Sequence, residues 1–121
     1  MMTETYRPSI LVDMRKNRIR IHKNTLHALG NPNYVMLIVN PEEHTLGIKC
    51  SMQDDRLAHR IRRSTMQSRV CYELYSKRLM AALHKLCPDW SDKNNYRIEG
   101  ELIAEENMAV FSMRDFTQIE P

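Results

Sequence analysis

Basic side chains are the groups through which this 121-residue sequence is best equipped to do chemistry. Arginine and lysine neutralise phosphates, and arginine also pairs with a guanine edge through two hydrogen bonds. One basic stretch spans residues 15–23 without an intervening acid, and a second one spans residues 56–69. These stretches predict a DNA-binding surface made of Arg15, Lys16, Arg18, Arg20, Lys23, Arg60, Arg62 and Arg63.

Acidic clusters are the second group of residues that could act chemically. Asp54 and Asp55 precede His59, and Glu105 adjoins Glu106. Either group could imitate a metal or acid–base site, but a helix start and a hairpin turn explain them more simply. The sequence has no nucleophile with a base at catalytic spacing and no glycine-rich phosphate loop. We therefore predict that the protein is not an enzyme and needs no cofactor.

The cysteines and histidines lack the spacing of a metal site. Cys50, Cys71 and Cys87 are far apart, and none of the five histidines belongs to a Cys-x-x-Cys or His-x-x-x-His pattern. Zinc sites in proteins are usually built from such closely spaced ligand pairs. Three cysteines also cannot all pair within one chain. We expect reduced thiols and no bound metal.

The composition suits one domain over residues 1–121, since 42% of the residues are apolar. The sequence has no apolar run of about 18 residues and does not start like a signal peptide, so we expect a cytoplasmic protein that does not enter a membrane. The net charge is +3, and residues 1–60 carry this excess because residues 61–121 are neutral overall. Such asymmetry can steer a polyanion to one face, but ordinary solvated surface charge is an alternative explanation.

Local patterns place the candidate residues on strands and turns. Residues 9–14 and 18–21 have the composition of strands, and strict alternation puts Arg18 and Arg20 on one exposed face. Exposed strand arginines contribute little stability, so replacing both by alanine should leave folding nearly intact. A short helix should end at Gly30. The remaining predictions are hairpins over residues 34–50 and 96–113, a connector over 51–69, and the longest helix over 73–86 with Leu79, Leu83 and Leu86 buried.

The order of strand, short helix and hairpin in the first half of the sequence recurs in the second half. It predicts an α+β fold of two βαββ-like halves, with antiparallel hairpins and one longer helix. Two interpretations stay open. Either residues 10–50 and 66–113 are an internal repeat packed about a pseudo-twofold axis, or the chain is an ordinary α+β domain with two similar hairpins. A repeat would favour a monomer, whereas the modest core and the apolar residues 34–39 favour a homodimer.

Residues 17–23, which read Asn-Arg-Ile-Arg-Ile-His-Lys, and the Ala-Leu-Gly at 28–30 resemble the AbrB/SpoVT/MraZ swapped-hairpin family. The resemblance covers about residues 10–50, with a fainter echo after residue 70. Arg18 matches the family arginine, while Asn17 replaces the usual glycine and His22 the usual proline. The resemblance implies a bacterial DNA-binding transition-state regulator or antitoxin-like module, with basic side chains on a two-fold symmetric sheet. Single-copy members of the family dimerise, and MraZ-like members hold two copies in one chain.

Double-stranded DNA is therefore the predicted partner, and the predicted role is transcription regulation in a bacterium or a mobile element. The alternative is a small interaction or accessory module of a phage or mobile element that does not bind DNA. The late acids and the nine methionines would suit adaptable protein contacts. Duplex binding measured against salt concentration distinguishes the two functions.

Overall fold

The computed structural model describes residues 7–61 and 71–119, which form eight strands and two α-helices. The strands are β1 (Ser9–Asp13), β2 (Arg18–His22), β3 (Tyr34–Asn40), β4 (Thr45–Ser51), β5 (His59–Arg60), β6 (Cys71–Tyr75), β7 (Asn95–Ile103) and β8 (Met108–Ile119). The helices are α1 (Lys23–Ala28) and α2 (Lys77–Leu86), and a 3₁₀ turn occupies Ala104–Glu106.

All eight described strands belong to one sheet, in the order β5-β3-β4-β8-β7-β1-β2-β6. Every neighbouring pair in this order is antiparallel. The sheet curves into a half-barrel, and its two outermost strands approach each other. The hydroxyl of Tyr72 on β6 donates a hydrogen bond to the carbonyl oxygen of Arg60 on β5 across 2.9 Å. This curvature encloses the apolar side chains on the inner face.

The predicted α+β fold of two βαββ-like halves is wrong, because the described residues form one predominantly antiparallel sheet. The two helices have only six and ten residues. Strands from the two sequence halves also alternate as neighbours, since β1 pairs with β7, β2 with β6 and β4 with β8. A strand pattern indicates where strands lie but not which strand pairs with which, so it could not reveal this interleaving.

Two predicted hairpins are confirmed, and one predicted helix boundary is wrong. The hairpins are β3–β4 and β7–β8. The helix predicted from residue 73 begins at Lys77, because the preceding residues pair with β2 as strand β6. Its end and its buried Leu79, Leu83 and Leu86 agree with the prediction. Neither α1 nor α2, the helices in the described ranges, is long and apolar enough to cross a membrane.

One apolar cluster holds the sheet and α2 together. Alternation buries Ile19 and Ile21 of β2 completely, together with Ile98 of β7 and Phe111 of β8. Leu83 of α2 is also fully buried in this cluster. Removing one such side chain from water contributes about 1.5–3 kcal/mol, so this inner face dominates the stability of the fold. The outer face of β2 is consequently free to carry polar residues.

The register of the long β7–β8 hairpin shifts between Ile98 and Gly100. Gly100 is buried, and a Cβ atom at this position would collide with the carbonyl oxygen of Val110 and the ring of Phe111. The two strands therefore approach too closely for any side chain at residue 100. Glycine is needed here because of this close backbone approach.

Candidate nucleic-acid interface

The turn between β1 and β2 is organised by the buried carboxylate of Asp13. Its Oδ1 atom accepts hydrogen bonds from the backbone N–H groups of Arg15 and Lys16, each across 3.1 Å. Asn17 follows with a φ of +53°, a left-handed conformation that asparagine tolerates well. The turn therefore holds Arg15 and Lys16 in a defined place, with both residues exposed to solvent.

Arg18 is part of the internal structure and not of a free basic face. Its Nε lies 3.0 Å from Asp13 Oδ2, and its Nη1 lies 2.8 Å from Glu73 Oε2. The side chain is only 12% exposed. Burial alone would lower the pKa of Arg18, but hydrogen bonds with Tyr75 and Asp13 and the charge of Glu73 outweigh it, so the pKa is raised. The guanidinium group stays charged, and it pairs with two carboxylates of its own chain.

Arg20 shares the outer face with Arg18, as the alternation predicted, but it also faces a carboxylate. Its Nε is 3.5 Å from Glu73 Oε2, and its side chain is 35% exposed. The expectation that both arginines form a free exposed face is therefore wrong. Their replacement by alanine would leave Asp13 and Glu73 without these partners, so the expectation of nearly intact folding is corrected as well.

The other predicted contacts do not gather at one place. Lys23 is exposed at the start of α1, one residue beyond the far end of β2. The strand from Arg18 to that end is about 13 Å long. Arg60 is exposed on β5, a different edge of the sheet. Arg62 and Arg63 lie outside the described residues. Of the eight candidates, Arg15 and Lys16 combine exposure with a fixed and adjacent position.

Two basic residues that the sequence reasoning did not select lie beside this turn. Arg18 pairs with Tyr75 in the β2–β6 register, and one further step brings residue 17 next to residue 76. Lys77 and Arg78 follow immediately as the exposed first residues of α2. Ser76 could have indicated the start of α2 in the sequence, because serine is a typical N-cap residue. Its hydroxyl accepts a hydrogen bond from Leu79 N–H across 3.1 Å.

We call the surface formed by Arg15, Lys16, Tyr75, Lys77 and Arg78 the basic end. Its four cations have no ion-pair partner within 4.0 Å among residues 7–61 and 71–119. Tyr75 is 61% exposed and lies between the turn and α2. The carboxylates on the neighbouring strands, Asp13 and Glu73, are engaged by arginine. The basic end can therefore attract an anion that is large enough to touch several cations at once.

Other chemistry has little geometric support in the described part of the chain. The described residues contain no group of three or more His, Cys, Asp or Glu side chains that could hold a metal ion. The three cysteines are free thiols. Burial raises the pKa of Cys50 and raises that of Cys87 to about 11, so neither thiol is activated as a nucleophile.

Comparisons of this chain with protein-family models, with curated proteins and with solved structures found no match.

Proposed function

We propose that this protein binds double-stranded DNA through the basic end. The observation that supports the proposal is a set of four exposed cations on two adjoining elements, none of which has an ion-pair partner among residues 7–61 and 71–119. Arg15 and Lys16 lie on the β1–β2 turn, and Lys77 and Arg78 lie at the start of α2. Duplex DNA carries closely spaced phosphates, and a cluster of this kind contacts several of them together. In this proposal the protein is a cytoplasmic transcription regulator of a bacterium or a mobile element.

Arg18 has an indirect role in this proposal. Its guanidinium group, together with that of Arg20, offsets the charges of Asp13 and Glu73, which would otherwise repel phosphates next to the basic end. It also supports the turn, because Asp13 is the acceptor for the Arg15 and Lys16 backbone groups. Arg18 therefore positions the contacting residues and does not itself need to reach the DNA.

The resemblance of residues 10–50 to the AbrB/SpoVT/MraZ family, with its DNA-binding members, stays a prediction on which no comparison bears. The proposed internal repeat and the homodimer also stay predictions. The interaction module that does not bind DNA is the competing function. It becomes the better explanation if duplex binding is absent at low salt.

The test is fluorescence anisotropy of a labelled duplex, titrated with protein at several salt concentrations. We compare K16Q/K77Q, which removes two lysines from the basic end, with K23Q/K85Q, which removes two exposed lysines elsewhere. Lys85 is a good match for Lys77, because it lies about 12 Å further along the same helix. Both variants lower the net charge equally, so a difference between them reports position.

We expect K16Q/K77Q to lower the slope of log affinity against log salt by about 0.9 for each lost phosphate contact, or about 1.8 in total. The slope of K23Q/K85Q should stay close to that of the unmodified protein. Equal losses in both variants would contradict the basic end as the interface. Absence of duplex binding at low salt would contradict the proposed function itself.

A further inference from the structure

A groove between β3, α2 and the segment before β5 is distinct from the outer face of β2. Its volume is about 430 Å³, which falls within the range of small-molecule sites in proteins. Most of its wall is apolar and comes from Leu37, Val39, Leu57, Ala58, Leu79 and Ala82. Leu57 is 57% exposed, so this part of the apolar wall is open to solvent.

The polar part of the groove is positively charged. Arg56 and Arg78 both line it, the first on the segment before β5 and the second on α2. Among the described residues, no carboxylate lines the groove. His59 also lines it, and burial lowers the pKa of this histidine, so the ring is neutral at neutral pH. The groove therefore presents two cations, a neutral imidazole and an apolar wall.

The acid that precedes Arg56 in the sequence, Asp55, already accepts two hydrogen bonds. Asp55 Oδ1 accepts a hydrogen bond from Leu57 N–H across 3.1 Å, and its Oδ2 accepts one from the Ser51 hydroxyl, also across 3.1 Å. These bonds fix the loop that carries Arg56 and Leu57 along the groove. The start of the ten-residue helix α2 adds a small positive potential, because Ser76 at its N-cap also lines the groove.

We propose that this groove binds a small amphipathic anion, which has one carboxylate and an apolar body of about ten carbon atoms. The apolar body would lie against the wall formed by Leu57 and Leu79, and the carboxylate would be held between Arg56 and Arg78. A phosphate of DNA has no apolar part that could pack against this wall. The proposal therefore stands independently of DNA binding, although Arg78 belongs to both surfaces.

The first experiment uses anilinonaphthalene sulfonate, a fluorescent anion with an apolar body, on the folded full-length protein. We expect saturable binding with increased, blue-shifted fluorescence, and we expect decanoate to displace the probe. Decyltrimethylammonium, which has the same chain and the opposite charge, should not displace it. The near-ultraviolet circular dichroism of the single tryptophan, Trp90, must stay native, so that binding to a loosened core is excluded.

Two variants and one control locate the site. R56Q should weaken decanoate binding about tenfold, since it removes a hydrogen bond to a charged group. A82F should block the groove and abolish the displacement. R15Q has the same charge change outside the groove and should bind decanoate as the unmodified protein does.

The proposal fails if the native protein does not bind the fluorescent anion. It also fails if decyltrimethylammonium displaces the probe as well as decanoate does, or if R56Q and R15Q are equivalent. Loss of duplex binding in K16Q/K77Q does not affect this result, because neither lysine lines the groove.

Discussion

Substitution of Asp13 by alanine should lower the free energy of unfolding by an amount that follows from the contacts of its carboxylate. The carboxylate is 5% exposed and accepts bonds from the backbone of Arg15 and Lys16 and from Arg18 Nε. Each lost backbone hydrogen bond costs about 0.5–1.5 kcal/mol. Breaking a buried ion pair costs about 3–5 kcal/mol when the remaining charge has no partner. Arg18 keeps Glu73 at 2.8 Å, so the cost of its lost pair falls well below that range.

Together these contributions predict that D13A lowers the free energy of unfolding by about 3 kcal/mol. D13N keeps an oxygen acceptor for the turn but loses the charge, so about half of that loss should remain. Urea unfolding followed by Trp90 fluorescence measures both, because Trp90 is buried and stacks on Tyr96 at 4.3 Å.

The control is E99A, which removes the exposed surface ion pair of Glu99 with Arg7 and should change stability by less than about 0.5 kcal/mol. A loss below about 1 kcal/mol in D13A would refute the assigned role of Asp13. Equal losses in D13A and D13N would instead show that the charge alone matters and that the turn bonds do not.

Three further predictions test other parts of the fold. G100A should lose about 1–3 kcal/mol in urea unfolding, because its Cβ would collide with the Val110 carbonyl oxygen, and unchanged stability would contradict the close strand approach. Cys87, whose burial raises its pKa to about 11, should resist alkylation by iodoacetamide at mildly alkaline pH in the folded protein. Rapid alkylation of Cys87, detected by mass spectrometry, would contradict this prediction. The lowered pKa of His59 means that the unfolded chain binds its proton more tightly, so stability should fall as the pH drops through about 6.5, and H59Q should show a smaller fall.

Local features of the fold were predictable from the sequence because they depend on neighbouring residues. The β3–β4 hairpin, the alternation of Ile19 and Ile21, and the left-handed Gly30 after α1 all agree with local patterns. The pairing of β1 with β7 and of β4 with β8 was not predictable, because strand partners depend on contacts far along the chain. This difference explains why the hairpins were found while the fold class was wrong.

In the candidate site, too, features set by neighbouring residues were predictable, and features set by strand pairing were not. Arg15 and Lys16 are exposed on a turn, as the local sequence predicted. The role of Arg18 was missed, because its partner Glu73 lies 55 positions later and meets it only through the β2–β6 pairing. Lys77 was missed for a related reason, since the helix was predicted to begin at residue 73 and its true start adjoins the turn. Charge density in the sequence therefore indicated a basic surface but not which cations remain free.

Backbone amide chemical shifts, recorded while a short duplex is titrated into isotope-labelled protein, test the proposed interface most directly. We expect the largest shifts at residues 15–17 and 76–78, and we expect them to diminish as salt is added. The amides of β3 and β4 should move little. Shifts concentrated around Lys23 or along the β3–β4 hairpin, or no shifts at low salt, would contradict DNA binding through the basic end.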